Sequence, residues 1–174
     1  MEIIVDLLKI TLPAALVLYL AYSLVKTFLD KQLEAVKIQK RLDLGKETLP
    51  LRLQAYERVS LLLERIAPNN LIIRLNDGSY SVIEFQQILL REIREEFNHN
   101  LSQQIYMSDE AWNLVRQSVE EVIAVINNAA HELEKDAPAI KLAKKIFEQV
   151  LERDEDINMK ALRHVKQEVR LLLL

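Results

Sequence analysis

The stretch WNLVRQSVEEVIAVINNAAHEL, Trp112–Leu133, decides the fold. Trp112, Val115, Val119, Val122, Ile126, Ala129 and Leu133 recur at alternating steps of three and four, an a/d seam over three heptads. A strand repeats every two residues, so this spacing reads as a helix with one apolar edge. Ser108, followed by Asp109 and Glu110, supplies its start: a hydroxyl for the free backbone N–H groups and acids at the positive end of the dipole.

The same pattern continues outward in both directions. Towards the C-terminus, Asp136 and Pro138 open another helix, with Ile140, Ala143, Phe147 and Val150 expected inward. The acidic run ERDEDIN ends it, and a last helix follows with Leu162, Val165, Val169 and Leu172 inward. The closing RLLLL reads as the packed last turn of that helix, or as a free apolar tail. Towards the N-terminus, Ser81 and Glu84 form a capping box, and Asn76–Gly78 (NDG) is the one strong turn signal. NNLIIRL before it reads as a short helical turn, with a brief strand as the alternative. LRLQAYERVSLLLERI places Tyr56, Val59, Leu63 and Ile66 at helical spacing and must stop before Pro68. Glu47 or Thr48 is expected to open that helix, with Pro50 in its first turn, where a missing N–H does no harm.

Composition agrees. Among 174 residues there are only two glycines and four prolines, too few turn formers for an all-β fold and too few glycines for a phosphate-cradling loop. Half the residues are apolar and 28% are charged, enough for a packed core without being wholly membrane-embedded. There is no cysteine, hence no disulfide, thiolate metal site or cysteine nucleophile.

The amino-terminal segment carries a different signal. Ile10–Val25, ITLPAALVLYLAYSLV, is sixteen residues without a charge. At 1.5 Å per residue it spans about 24 Å, short of the roughly 30 Å hydrocarbon core. Lys9 and Lys26 at its ends can snorkel, which extends the usable span to about Leu7–Leu29. The large side chains of Leu12, Leu16, Leu18, Tyr19 and Leu20, continued by Tyr22, Leu24 and Val25, surround the helix rather than forming a stripe. With Pro13 in its first half, the segment therefore reads as spanning a bilayer rather than lying on one. Ala21 and Ser23 would also satisfy a signal-peptide cleavage site, but the leading MEIIVDLLK has two acids and one lysine where such a peptide has a basic start. Ala14, Ala15 and Ala21 are small enough for close helix approach but make no G-x-x-x-G pattern.

The expected organisation is all-α. Residues 1–29 are a transmembrane anchor, 30–47 a juxtamembrane helical stalk, and 48–174 a cytoplasmic bundle of about four to five helices. Residues 26–52 hold seven bases and four acids, whereas 53–174 hold fifteen bases and twenty acids. The positive-inside rule then puts the C-terminal side in the cytoplasm and a short N-terminus outside. The basic collar suits anionic lipid, or is an ordinary solvated helix surface. The acidic body does not suit nucleic acid.

Between two apolar helices lies Glu95–Trp112, EEFNHNLSQQIYMSDEAW. Asn98, His99, Asn100, Gln103 and Gln104 are uncharged hydrogen-bonding groups where a solvated face would as readily carry lysine or glutamate. They read first as a polar joint between helices, clamped by Arg58, Arg65 or Arg94, and second as a docking surface that includes Trp112. Chemistry is hard to build there. Glu96 and His99 form one E-x-x-H pair, but a carboxylate-bridged metal centre needs a second pair and further glutamates. There is no G-x-S-x-G elbow for a serine nucleophile. Adjacent pairs such as Glu95–Glu96 and Glu120–Glu121 do not face one another on a helix. No catalytic site, cofactor, metal or small-molecule substrate is expected.

LPLRLQAYERVSLLLERIAP followed by EIREEFNHNLSQQIYMSDEAW resembles an uncharacterised family of short bacterial proteins. The resemblance covers most of the chain and implies one N-terminal membrane segment, a helical remainder and a bacterial inner-membrane setting, with no activity attached. Two functions are then expected. One is a membrane-anchored accessory or scaffold subunit that binds a membrane-protein complex or a cytoplasmic client. The other is a homo-oligomeric membrane-associated structural protein that assembles through the stalk and the Trp112–Leu133 seam.

Overall fold

In the computed structural model, residues 2–76, 78–153 and 158–173 are described, and ahead of Gly45 the described side chains are those of residues 12, 15–40 and 43. Among the described residues the regular elements are all helices: α1 (Glu2–Ile66), α2 (Pro68–Leu75), α3 (Val82–Asn100), a 3-10 helix (Leu101–Tyr106), α4 (Asp109–His131), α5 (Ala139–Leu151) and α6 (Met159–Leu173). Two compact units divide it, residues 1–48 and residues 49–174.

The first unit is the leading part of α1 alone. Leu16, Leu18, Leu20 and Leu24 are exposed, as are Phe28, Leu29 and Leu33 further along. Among the described residues no helix is long and apolar enough to cross a membrane. Lys9, Ile10 and Pro13 of the expected span lie outside the described side chains. The expected helix start at Glu47 or Thr48 does not occur; α1 runs through Gly45 and Pro50. Pro50 removes one helical hydrogen bond, to the carbonyl of Lys46. Lys46 and Pro50 are both exposed, so water can replace that donor.

In the second unit, the end of α1 buries Tyr56, Val59, Leu62, Leu63 and Ile66. Pro68 stops the helix and has no N–H for the Glu64 carbonyl; the amide nitrogen of Asn70 donates to it instead, at 2.8 Å. Pro68 then opens α2, so NNLIIRL is helical rather than extended. The Asn76 side chain accepts from the Gly78 N–H at 3.1 Å, and Gly78 takes φ 82°, which fixes the turn at the glycine. The capping box is present: the Ser81 N–H donates to Glu84 Oε2 at 2.9 Å, and the Glu84 N–H reaches the Ser81 hydroxyl. Ser81 also pairs with Pro138 in an isolated antiparallel bridge. Val82 donates to Ala137 and Ala139 to Tyr80, which ties the start of α3 to the start of α5.

Helix α4 is central: it packs against α3, α5 and α6. Its seam residues Trp112, Val115, Val119, Val122, Ile126 and Ala129 are all buried within the unit. The seam is therefore spent on packing within this unit. Leu133 follows the end of α4 and only packs against the core. On α5 the inward face is Ala139, Leu142, Ala143 and Ile146, and Ile140 is 51% exposed instead of inward. Ala143 is buried and Phe147 and Val150 pack against the core, so of the four residues expected inward Ile140 alone turns out. On α6, Leu162 and Val165 are buried and Val169 and Leu172 pack against the core, as the spacing predicts; Leu171 and Leu173 are exposed. Residues 154–157 of the acidic run lie outside the described residues.

Candidate functional site

The amide-rich stretch between α3 and α4 continues α3 as a 3-10 helix. Asn100, 7% exposed, is the buried amide. Its Nδ2 donates to the Glu96 carbonyl at 2.9 Å and to Glu96 Oε1 at 3.4 Å. Glu96 in turn accepts from Arg65 Nε at 2.8 Å. Arg65 also lies 3.7 Å from Glu92, which binds Arg74 at 2.5 Å. This ladder joins the ends of α1 and α2 to α3, and the hydrogen bond from Arg74 holds the Glu92 carboxyl below the usual range.

Of the residues proposed from sequence, the structure brings together Arg65 and Asn100 through Glu96. Arg58, Arg94, Asn98, His99 and Gln104 are exposed, and Gln103 is half-buried. Gln103 and Gln104 make only local bonds, to Ser102 and to the Leu101 carbonyl. Trp112 is core, stacked on Phe97 with ring centres 5.6 Å apart. Glu96 is taken up by Arg65 and Asn100 while His99 faces solvent, and among the described residues no cluster of three or more His, Cys, Asp or Glu could hold a metal.

A second polar centre was not foreseen. Glu168 on α6 accepts from the Tyr56 hydroxyl on α1 at 2.7 Å and from the Ser108 hydroxyl, the cap of α4. His164 Nε2 lies 3.4 Å from Glu168 Oε1, buried and otherwise without a hydrogen-bond partner. Burial raises the Glu168 carboxyl, but the bonds from Ser108 and Tyr56 outweigh it, so it sits below the usual range. Burial, then Glu168 itself, raises the Tyr56 hydroxyl. The components are those of a Ser–His–acid triad, but in the wrong order. The carboxylate, not the histidine, stands between the other two, and a carboxylate held ionised is a poor base for the Ser108 proton. The cluster joins three helices. Its signal in the sequence was faint: Glu168 is the single acid in the α6 stretch MKALRHVKQEVRLLL.

A third centre is fully buried. Asn158 Nδ2 donates to the Leu63 carbonyl at 2.6 Å, and its Oδ1 accepts from Ser118 at 2.5 Å. Asn158 thereby serves one of the last four carbonyls of α1, which lack helical donors, and fixes the entry to α6 against α4.

The chain belongs to a family of unknown function (DUF7935), whose profile matches residues 2–172. No curated protein matches it. No solved structure matches it either.

Proposed function

We propose that this member of the family is a non-catalytic, membrane-anchored accessory or scaffold subunit. Residues 1–29 hold it in the bilayer, 30–47 form the stalk, and the helical domain binds a membrane-protein complex or a cytoplasmic client. The observation that carries the anchor is the uncharged run Ile10–Val25. Its described large side chains, among them Leu16, Leu18, Leu20 and Leu24, are all exposed. A fully buried side chain of this kind gains about 1.5–3 kcal/mol over an exposed one, so a run of them calls for a cover, and a charge-free cover all round a helix is lipid. The family match begins at residue 2, so this segment belongs to the same family unit as the bundle. The collar of Lys26, Lys31, Lys37 and Lys40 supports an orientation with the bundle in the cytoplasm of a bacterium.

The non-catalytic reading is supported by how the polar groups are used. Glu96, Ser108 and Glu168 each spend their hydrogen bonds on joining helices. Extraction of native membranes with alkaline carbonate tests the anchor. The full chain should stay in the pellet, and a chain lacking residues 1–29 should be released; recovery of the full chain in the supernatant would refute the anchor.

A further inference from the structure

Helix α6 has an uneven charge distribution in an otherwise acidic body. Lys160, Arg163, Lys166 and Arg170 are exposed, while its single acid, Glu168, is turned inward and held by Tyr56 and Ser108. Lys166 and Arg170 make no ion pair among the described residues. They stand on the rim of an open groove of about 350 Å³ between α6 and the end of α1. Leu53 on one side and Val169 on the other are its accessible apolar lining, above the buried Tyr56 and Val165, and Glu57 and Ser60 form the wall facing the two cations. The α1 row from Leu53 to Ser60 is about two turns long, roughly 10 Å.

From this we infer that the groove receives an amphipathic helix of a partner protein whose exposed flank is acidic. The shape selects a ridge over a flat bilayer: a lipid surface cannot enter a groove between two helices, whereas one apolar stripe of a helix can. The two unpaired cations on one wall select carboxylates beside that stripe, and Glu57 opposite them excludes carboxylates on the other flank. The inference rests on the accessory-subunit reading and specifies the contact it would use.

The test uses the full chain in zwitterionic nanodiscs, with empty discs as the baseline. The probe is a fluorescent synthetic helix of roughly 18 residues, about five turns, with leucines at i, i+3, i+4 and i+7, glutamates along one flank and glutamines elsewhere. Saturable binding is expected to weaken at least tenfold in the surface double variant Lys166→Glu/Arg170→Glu. It should tighten severalfold in Glu57→Lys, a gain that misfolding cannot produce. The proposal is overturned if the wild-type chain does not bind the probe, if all variants bind alike, or if a lysine version binds as tightly. It is equally overturned if the double variant loses affinity only for discs of anionic lipid, which would make a membrane the occupant. Co-purification from native membranes judges the accessory reading separately, and either result there can accompany either result here.

Discussion

Asn158 and Glu168 are the two side chains on which the junction of α1, α4 and α6 most depends. Asn158 bonds in two directions inside the core, so Asn158→Leu would strand the Leu63 carbonyl and the Ser118 hydroxyl together. A loss of about 1–3 kcal/mol is expected, read from urea unfolding. Glu168 is ionised in the fold at a pH where the free side chain begins to protonate. A carboxyl lowered by folding stabilises above its unfolded pKa, and that contribution disappears as the pH falls through the folded value. Glu168→Gln should therefore cost about 1–3 kcal/mol near neutrality, since the amide nitrogen cannot accept from a second hydroxyl. The gap to the wild type should narrow below about pH 4. An unchanged gap from neutral to acid pH would mean that ionisation of Glu168 does not hold the cluster. Neither residue was legible beforehand. Tyr56 and Glu168 are 112 positions apart, and nothing local marks an exposed-looking glutamate on a basic helix as a shared acceptor. Asn100 and Arg65, by contrast, were visible, because amides concentrate where partners are defined; the neighbouring Asn98, His99 and Gln104 share that composition but remain on the surface.

At the scale of elements, the features read correctly were those fixed by near neighbours. The Ser81–Glu84 box, the Ser108 cap, the turn at Gly78 and the stop before Pro68 each depend on groups within a few residues. The apolar seam of α4 was equally plain, since a period of three and four admits one face. On α5 the buried face contains Leu142 and Ile146, with Phe147 and Val150 also packed against the core, which leaves Ile140 outside. The continuity of α1 past the expected start at Glu47 or Thr48 has a direct test. A Cβ at Gly45 would meet nothing within 4 Å, and its backbone is helical. Gly45→Ala should therefore raise far-UV helicity and stabilise by about 0.5–1 kcal/mol. A loss of helicity would restore the expected start at Glu47 or Thr48.

For the molecule as a whole, the all-α architecture was legible because starvation of turn formers and helical periodicity agree along nearly the whole chain. What the domain meets was not, since a partner leaves only a surface: the exposed apolar run ahead of the bundle and the basic wall of α6. The central claim is that this chain is a tethered binding subunit. The measurement that tests it most directly is co-purification of the tagged full chain from native membranes in mild detergent, quantified by mass spectrometry beside a chain lacking residues 1–30. The account predicts a stoichiometric partner protein with the full chain, lost or diminished when the tether is removed. Recovery of the chain alone, or only of further copies of itself, would contradict it and favour self-assembly.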